Sequence, residues 1–529
     1  MPMFGSQWLA NAGSYKISQS CRFNDGDSPE LSRTYTLTAP WTLSAWVKRG
    51  ELTAENLILG ASGGEVHFNA DDTLEVEGAS STAVFRDPSA WYHIHASNNG
   101  LYVNGVLLIA AGSVTTTDLS NAKLFDDFDG YVAEVHLQAG TSAYTVFGEV
   151  NDDGVWVPKA DTAGDTYLTF ADSSDFGVNS GTGAAWTTSG LAAADQMSDT
   201  PTDNFPTFSN NIRGLESYSP STLTWGDSVN ISDGGLKVLG AAAGANLAGA
   251  TMAFPTSGKY YFEATFIGAD TSYFGISPLY DESKIVWYRN NGWTLQNATA
   301  WTESGGATYT DTDVLAISVN MDDLEAKFYK NNALQITISL TAGVQYIPTV
   351  FGGSSSLGFT VNFGASAFTY TPPTGFVALS TDNLPAPTVT DGTANFQTTL
   401  YTGNGTAIGS GGQAVSQSEN STFQPDFVWI KGRSGATEHV LTDATRGVTK
   451  ELHANDTGAE ETVAEGLTTF GSAGFTVGSD GSYNTNTATY AAWQWKAGTG
   501  AGSSNTDGSI NTTTTSVNTT AGISISTYS

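Results

Sequence analysis

The chain has 529 residues, and at roughly 100 to 200 residues per domain it is long enough for three or four domains, each with its own core. Charged residues make up only 14% and 59 residues are glycine, a composition that favours turn-rich β structure over disorder. Lys and Arg number 20 against 52 Asp and Glu, a net charge of −32, which argues against nucleic acid or anionic membrane as partners because neutralising phosphate needs a dense basic surface.

The basic residues are scattered, and no run exceeds the pair Lys48–Arg49. Cys21 is the only cysteine, so intrachain disulfides and multi-cysteine metal or iron–sulfur sites are excluded. The opening MPMFGSQWLANAG lacks the basic and apolar regions of a secretory signal. The most apolar stretch, Leu239 to Pro255, is Ala/Gly-rich and broken by Asn246, short of the ~20 strongly apolar residues that a spanning helix needs. These features predict synthesis in a cytoplasm and no membrane insertion.

Short alternating runs punctuated by Gly, Asn and Asp recur along the chain, and helical periodicity is almost absent. In WTLSAWVK, Trp41, Leu43, Ala45 and Val47 fall on one face of a strand. In LYVNGVLL, the Asn104-Gly105 pair predicts a tight hairpin whose two central residues take positive φ. The expected fold is all-β, a series of tandem β-sandwich (jelly-roll) domains. Two proline-bearing runs without alternation, DTPTDNFPTFSNN and STDNLPAPTVTDG, read as linkers. The expected domains are therefore 1–198, 223–379 and 395–498, with linkers at 199–222 and 380–394. A Gly/Ser/Thr-rich tail at 499–529 leads to ISISTYS, which echoes FQTTLYTGNG from Phe396 and reads as the first strand of a further repeat.

In the first third, WTLSAWVK, WYHIHASNNGLYVNG and FDGYVAEVHL follow one another, and from about Cys21 to Phe176 this order resembles the LamG, concanavalin-like jelly-roll family. The middle third carries SGKYYFEATF, DTDVLAISVN, FYKNN and VNFG followed by PPTGF, and looks like a SPRY domain. The final third carries TDATRG and YAAWQWKAG and resembles a β-rich domain of tailed-phage structural proteins. Those proteins usually have Cys where this chain has Gln494, a departure expected to cost little because a lone strand Cys is normally a packing residue.

The segment VWYRNNGWTLQNATAW sets Trp287, Tyr288, Trp293 and Trp301 among amides. That combination suits glycan binding, with rings stacking on sugar C–H faces and amides meeting hydroxyls, although a sandwich also needs such rings in its core. Calcium is a possible ligand of the acidic loop Asp126, Asp127 and Asp129, and of the loops at 24–27 and 151–154, which offer hard oxygen donors without EF-hand spacing; solvated turns are the simpler reading. No other cofactor is expected. His93 and His95 share a strand face but lack a visible third ligand, and packing is the favoured reading. Gly60-Ala61-Ser62-Gly63-Gly64 matches G-x-S-x-G by letters but sits between strands, not at a strand-to-helix turn. The paired carboxylates of a glycosidase are not evident around Glu134 and His136. In the polar cluster Glu438, His439, Asp443, Arg446, Lys450 and Glu451, an Asp443–Arg446 ion pair fixing a turn is favoured over a catalytic role.

The combined resemblance implies a virion structural protein of a tailed, marine bacteriophage: a tail fibre or receptor-binding protein, without catalysis, located in the tail. The implied partners are other tail proteins and a host surface glycan or protein, and such proteins are usually homotrimers. The alternatives are a capsid fibre or decoration protein and a polysaccharide depolymerase. Because the chain and a bacterial surface are both anionic, adhesion is expected to be salt- or calcium-assisted.

Overall fold

The computed structural model describes residues 15–62, 64–151, 154–161, 164–209, 229–240, 246–278, 286–296, 301–303, 306–386, 389–419, 421–498 and 502–529. The alternating runs form antiparallel sheets throughout, and the chain divides into two compact units, Met1–Pro385 and Ala386–Ser529.

The first unit holds two sandwiches. In the first, an eight-stranded sheet has Trp91–Ser97, Trp41–Arg49 and Gly130–Ala139 side by side at its centre, and it faces a seven-stranded sheet built around Glu30–Leu37, Leu119–Leu124 and Asn56–Ser62. Trp41, Leu43, Ala45 and Val47 all point into the core between them. Val103 pairs with Val106 across the predicted hairpin, with Asn104 at φ 48° and Gly105 at φ 76°. Glycine is needed at that position twice over, since a Cβ on Gly105 would also lie 2.5 Å from the Trp156 ring.

In the second sandwich, Lys259–Ile267 pairs with Val314–Asn320 and Gly358–Asn362 in an eight-stranded sheet. A seven-stranded sheet built on Tyr273–Pro278 and Tyr346–Gly352 lies in the same unit. The FYKNN run closes a hairpin with Asn331 and Asn332 at positive φ. GASGG falls at the hairpin between Asn56–Ser62 and Gly64–Phe68, with no helix following.

The Trp41–Arg49 strand is buried on both faces, where simple alternation would leave one exposed. Its second face turns Trp46, together with Trp91, Tyr131 and Ala133, into a hydrophobic cluster shared with Phe208, Phe262 and Phe363 of the second sandwich. Lys48 lies in this junction with no exposed surface: Nζ donates to Asp199 Oδ2, Asn204 Oδ1 and the Phe205 carbonyl, each at 2.7 Å. Trp91 Nε1 donates to the other Asp199 oxygen at 3.0 Å. Burial lowers the Lys48 ammonium's pKa and raises that of the Asp199 carboxyl, and the contact between them opposes both shifts.

The run expected to be a linker is a buried strap over Asp199–Ser209. Pro201 and Pro206 keep it out of regular ladders until Phe208–Ser209 pairs with Ala250 and Gly249, but its polar groups are what Lys48 needs. The start of the second junction is docked as well, because Thr381 N donates to the Asn204 carbonyl at 3.0 Å and Asn204 N to Thr381 Oγ1 at 2.8 Å. The division at Pro385 falls inside that junction.

On the same side of the first sheet, the Trp156 indole donates to His93 Nδ1 at 3.1 Å, so the His93 proton is on Nε2 and goes to Ser44 Oγ at 2.8 Å. His95 Nε2 donates to the Ser142 carbonyl at 3.0 Å, and its Nδ1 has no partner. His93 and His95 are packing residues. Burial pulls His95 down to about 4 and His93 well below its ordinary value, with His95 and His136 adding to the effect on His93. Nearby, Glu134 sits at φ 50° in a bulge and accepts from Tyr167 at 2.6 Å and Tyr15 at 3.1 Å.

In the second unit, the six-stranded order is Phe396–Thr402, Thr489–Trp495, Phe427–Gly432, Val440–Asp443, Lys450–His453 and Glu461–Thr462. A three-stranded sheet of Gln413–Ser416, Gly474–Val477 and Leu467–Gly471 supplies Val415, Phe475, Val477 and Leu467 to a core shared with Val428, Ile430 and Tyr490. The tail expected to begin as a linker carries a hairpin, Thr514–Asn518 with Ile523–Thr527. It is tied back by Gly498 N to Ser516 Oγ at 2.9 Å and Asn518 Nδ2 to Asn395 Oδ1 at 2.9 Å.

Lys48→Met leaves the Asp199 carboxylate buried without its cation and is expected to destabilise the first unit by about 3–5 kcal/mol. Denaturant unfolding of the full chain checks this, and a loss below about 1 kcal/mol contradicts it. Because the neutral form of His95 is favoured in the fold, its contribution is complete above the unfolded pKa of about 6.5 and is lost as pH falls toward 4. That loss is on the order of 3 kcal/mol. His95→Gln should flatten the decline in stability between pH 7 and pH 4, measured by the same unfolding experiment; an unchanged slope assigns the acid sensitivity elsewhere.

Candidate functional site

Strand alternation in the second unit sorts side chains onto two faces of the six-stranded sheet. Val428, Ile430, Tyr490, Ala492 and Gln494 point inward, whereas Phe396, Leu400, Phe427, Trp429, Trp493 and Trp495 point outward. Register then gathers the outward rings: Trp495 lies opposite both Phe396 and Phe427, with ring centroids 4.9 and 5.1 Å away, and Trp429 lies opposite Trp493 at 5.5 Å. Leu441 and Leu452, directly paired, continue the apolar band. Phe396 is 40% and Leu400 60% exposed on the edge strand, whereas the Trp429 indole N–H is buried and has no hydrogen-bond partner among the described residues. The face offers stacking surface.

The inward side holds this face rigid. Gln494 Nε2 donates to Thr399 Oγ1 at 2.8 Å, and its Oε1 accepts from Gln417 Nε2 at 3.2 Å. Gln494 is fully buried, and these two hydrogen bonds make it a satisfied polar tie between strands. The turn after Val440–Asp443 is fixed by the Asp443–Arg446 pair, in which Arg446 Nε donates to Asp443 Oδ2 at 2.6 Å and Arg446 N to Oδ1 at 2.8 Å. Glu438 joins His453 and Asp456, which were not anticipated, in a group whose donor atoms lie within 4.8 Å of one another. Their polar atoms are already engaged, with His453 bridging Glu451 at 3.0 Å and Asp456 at 3.1 Å, and Asn455 donating to Glu438. Both carboxylate contacts hold the His453 imidazolium above its ordinary pKa range.

The aromatic run proposed for sugar contact is placed differently from expectation. Trp287 is 2% exposed, stacks on Tyr273 and donates to Ser277 Oγ at 3.0 Å; Tyr288 is fully buried between Tyr309 and Phe328 and donates to the Ala307 carbonyl. These two rings are interior residues of an inner strand and cannot stack on a ligand. Trp293 and Trp301 lie in strands, but their side chains fall outside the described residues.

The three acidic-loop residues do not converge. Asp126 pairs with Lys123 at 2.9 Å, and that lysine also holds Glu30 at 2.6 Å. Asp127 is exposed at φ 55°. Asp129 alone turns inward, 3% exposed, with Oδ1 lacking any partner. Burial pushes its carboxyl up to about 8, with Asp25, Glu51 and Asp233 adding to the rise and Arg22 opposing it. In the loop at 151–154, residues 152 and 153 lie outside the described residues.

A family model described as a domain of unknown function (DUF7483) matches residues 391–529, the second unit including its terminal hairpin. No curated protein matches the chain. Among solved structures, the chain is similar to the SPRY domain of human HERC1, at 18% identity and TM-score 0.22, over 25% of this chain and 90% of that one. It is also similar to a human SPRY domain, at 13% identity and TM-score 0.22, over 26% of this chain and 97% of that one.

Leu400→Glu and Thr398→Glu place a charge on the outward, exposed side of the edge strand. Each is expected to leave the unfolding midpoint within about 0.5 kcal/mol of wild type, as surface changes do. If this face binds a ligand, each should also weaken that binding at least several-fold in a pull-down of the full chain. Unaltered binding in both variants removes the face from consideration.

Proposed function

We propose that this protein is an attachment component of a tailed-phage virion, a tail fibre or receptor-binding protein that contacts a host surface glycan without catalysing its breakdown. The observation that carries this reading is the outward aromatic face of the second unit, in the domain that bears TDATRG and YAAWQWKAG. Half-buried rings in a sheet suit the C–H faces of sugar rings, with the exposed Thr398 hydroxyl as a polar contact. Such a face binds through shape and apolar contact, which a strongly acidic protein needs when it approaches an anionic cell surface: charge repulsion extends over about 8–10 Å at ordinary ionic strength and weakens as salt rises.

Two measurements test the proposal together. Full-length protein incubated with host envelopes should bind without increasing reducing sugar ends, and release of reducing ends would favour a depolymerase. Gold-labelled antibody against residues 395–498 should mark the tail of intact particles. Label distributed over the head would move the protein to capsid decoration and overturn the attachment reading.

A further inference from the structure

We infer a zinc site on the outward face of the seven-stranded sheet of the first sandwich, held by Nδ1 of His67 and the carboxylates of Glu55 and Glu65. Val66 and Phe68 of the Gly64–Phe68 strand point into the core. Alternation therefore turns Glu65 and His67 outward together. The neighbouring Asn56–Ser62 strand pairs Leu57 with His67, and Glu55 comes in just before that strand begins. His67, Glu65 and Glu55 each bring a ligand atom within 4.8 Å of the other two.

The hydrogen bonds around His67 determine which ring nitrogen is available. Asn69 Nδ2 donates to Thr73 Oγ1 at 3.1 Å and to Glu75 Oε2 at 3.4 Å. An ionised carboxylate can only accept, so the amide nitrogen is identified and the amide oxygen faces His67 Nε2 at 3.0 Å. Nε2 thus carries the hydrogen, and Nδ1 of the neutral ring presents a lone pair. His67 is 7% exposed, and its Nδ1 is buried with no hydrogen-bond partner among the described residues. The nearest charged atom is Glu65 Oε1, 3.6 Å away.

A buried lone pair turned toward carboxylates is unfavourable, because no donor replaces the water it has lost and the two neighbouring anions repel each other. No Lys or Arg among the described residues pairs with Glu55 or Glu65. A divalent cation satisfies all three groups at once. One imidazole nitrogen with two carboxylate oxygens suits zinc, whereas calcium and magnesium are held by oxygen ligands. Three protein ligands leave the fourth tetrahedral position to water, and the half-exposed Glu65 side chain keeps that position open to solvent. Asn69 supplies the contact to the far ring nitrogen that fixes tautomer and orientation in a ligating histidine. The group formed by Glu438, His453 and Asp456 differs at this point, since both ring nitrogens of His453 are engaged by carboxylates. This inference does not depend on the attachment role.

The test is isothermal titration calorimetry of the full chain, stripped with EDTA and dialysed, with zinc chloride as titrant and calcium chloride as the comparison. Wild type should bind zinc at least about tenfold more tightly than calcium, in line with the donor set. His67→Gln should abolish that binding, and His453→Gln should leave it intact. The site is overturned by no zinc binding in wild type, by equal affinity for calcium, by wild-type affinity in His67→Gln, or by loss of binding in His453→Gln alone. Should His67→Gln fail to fold, Glu55→Gln and Glu65→Gln decide the matter, as both side chains are exposed. Each should weaken zinc affinity by more than the roughly tenfold typical of losing an outer partner, and unchanged affinity in both overturns the site.

Discussion

The first unit depends on the placement of one ammonium group. Lys48 projects from the central strand of the first sandwich into a junction that is otherwise aromatic and aliphatic, and there it has no access to water. An unpaired charge in that position is untenable, so the chain that crosses between sandwiches must bring it acceptors. Asp199, Asn204 and the Phe205 carbonyl do so. Asn204 in turn fastens Thr381, from the far end of the second sandwich. The irregular path of Asp199–Ser209 follows from that requirement, and with it the fusion of two sandwiches into one compact unit. The adjacent Arg49 points the opposite way and is paired with Asp72 at 3.0 Å inside the first sandwich. The one basic dipeptide of the chain is thus spent entirely on internal structure, and none of its charge is available to an external partner.

Most of the architecture was legible in local pattern. Alternation marked the Trp41–Arg49 strand, and Asn104-Gly105 marked the hairpin between Gly100–Val103 and Val106–Ala110, because these signals depend on backbone preferences that tertiary context rarely overrides. The Asp443–Arg446 pair was legible for the same reason, since its partners are three residues apart. The strap was not: proline and the absence of alternation do exclude a regular strand, but they carry no information about burial, which here is decided by a lysine some 150 residues earlier.

The candidate sites show the same limit from the other side. Trp287 and Tyr288 suggested a platform because they stand among amides, yet their strand lies between two others and both rings face neighbours across it. Phe396, Phe427, Trp429, Trp493 and Trp495 carry equal aromatic weight but are divided among three segments separated by up to about ninety residues. Only the pairing of Thr489–Trp495 with both Phe396–Thr402 and Phe427–Gly432 brings their outward sides together. The acidic loop likewise looked like a local ligand set, whereas its members do not converge: Asp126 pairs with Lys123, Asp127 is exposed and Asp129 alone turns inward.

Hydroxyl-radical footprinting of the full chain, free and bound to host-cell envelopes, tests this account most directly, because it reads the side chains themselves. The account predicts reduced modification at Phe396, Leu400, Trp493 and Trp495 on binding, with the first unit unchanged. Protection confined to residues 15–385, with those four side chains modified as in the free protein, would contradict it.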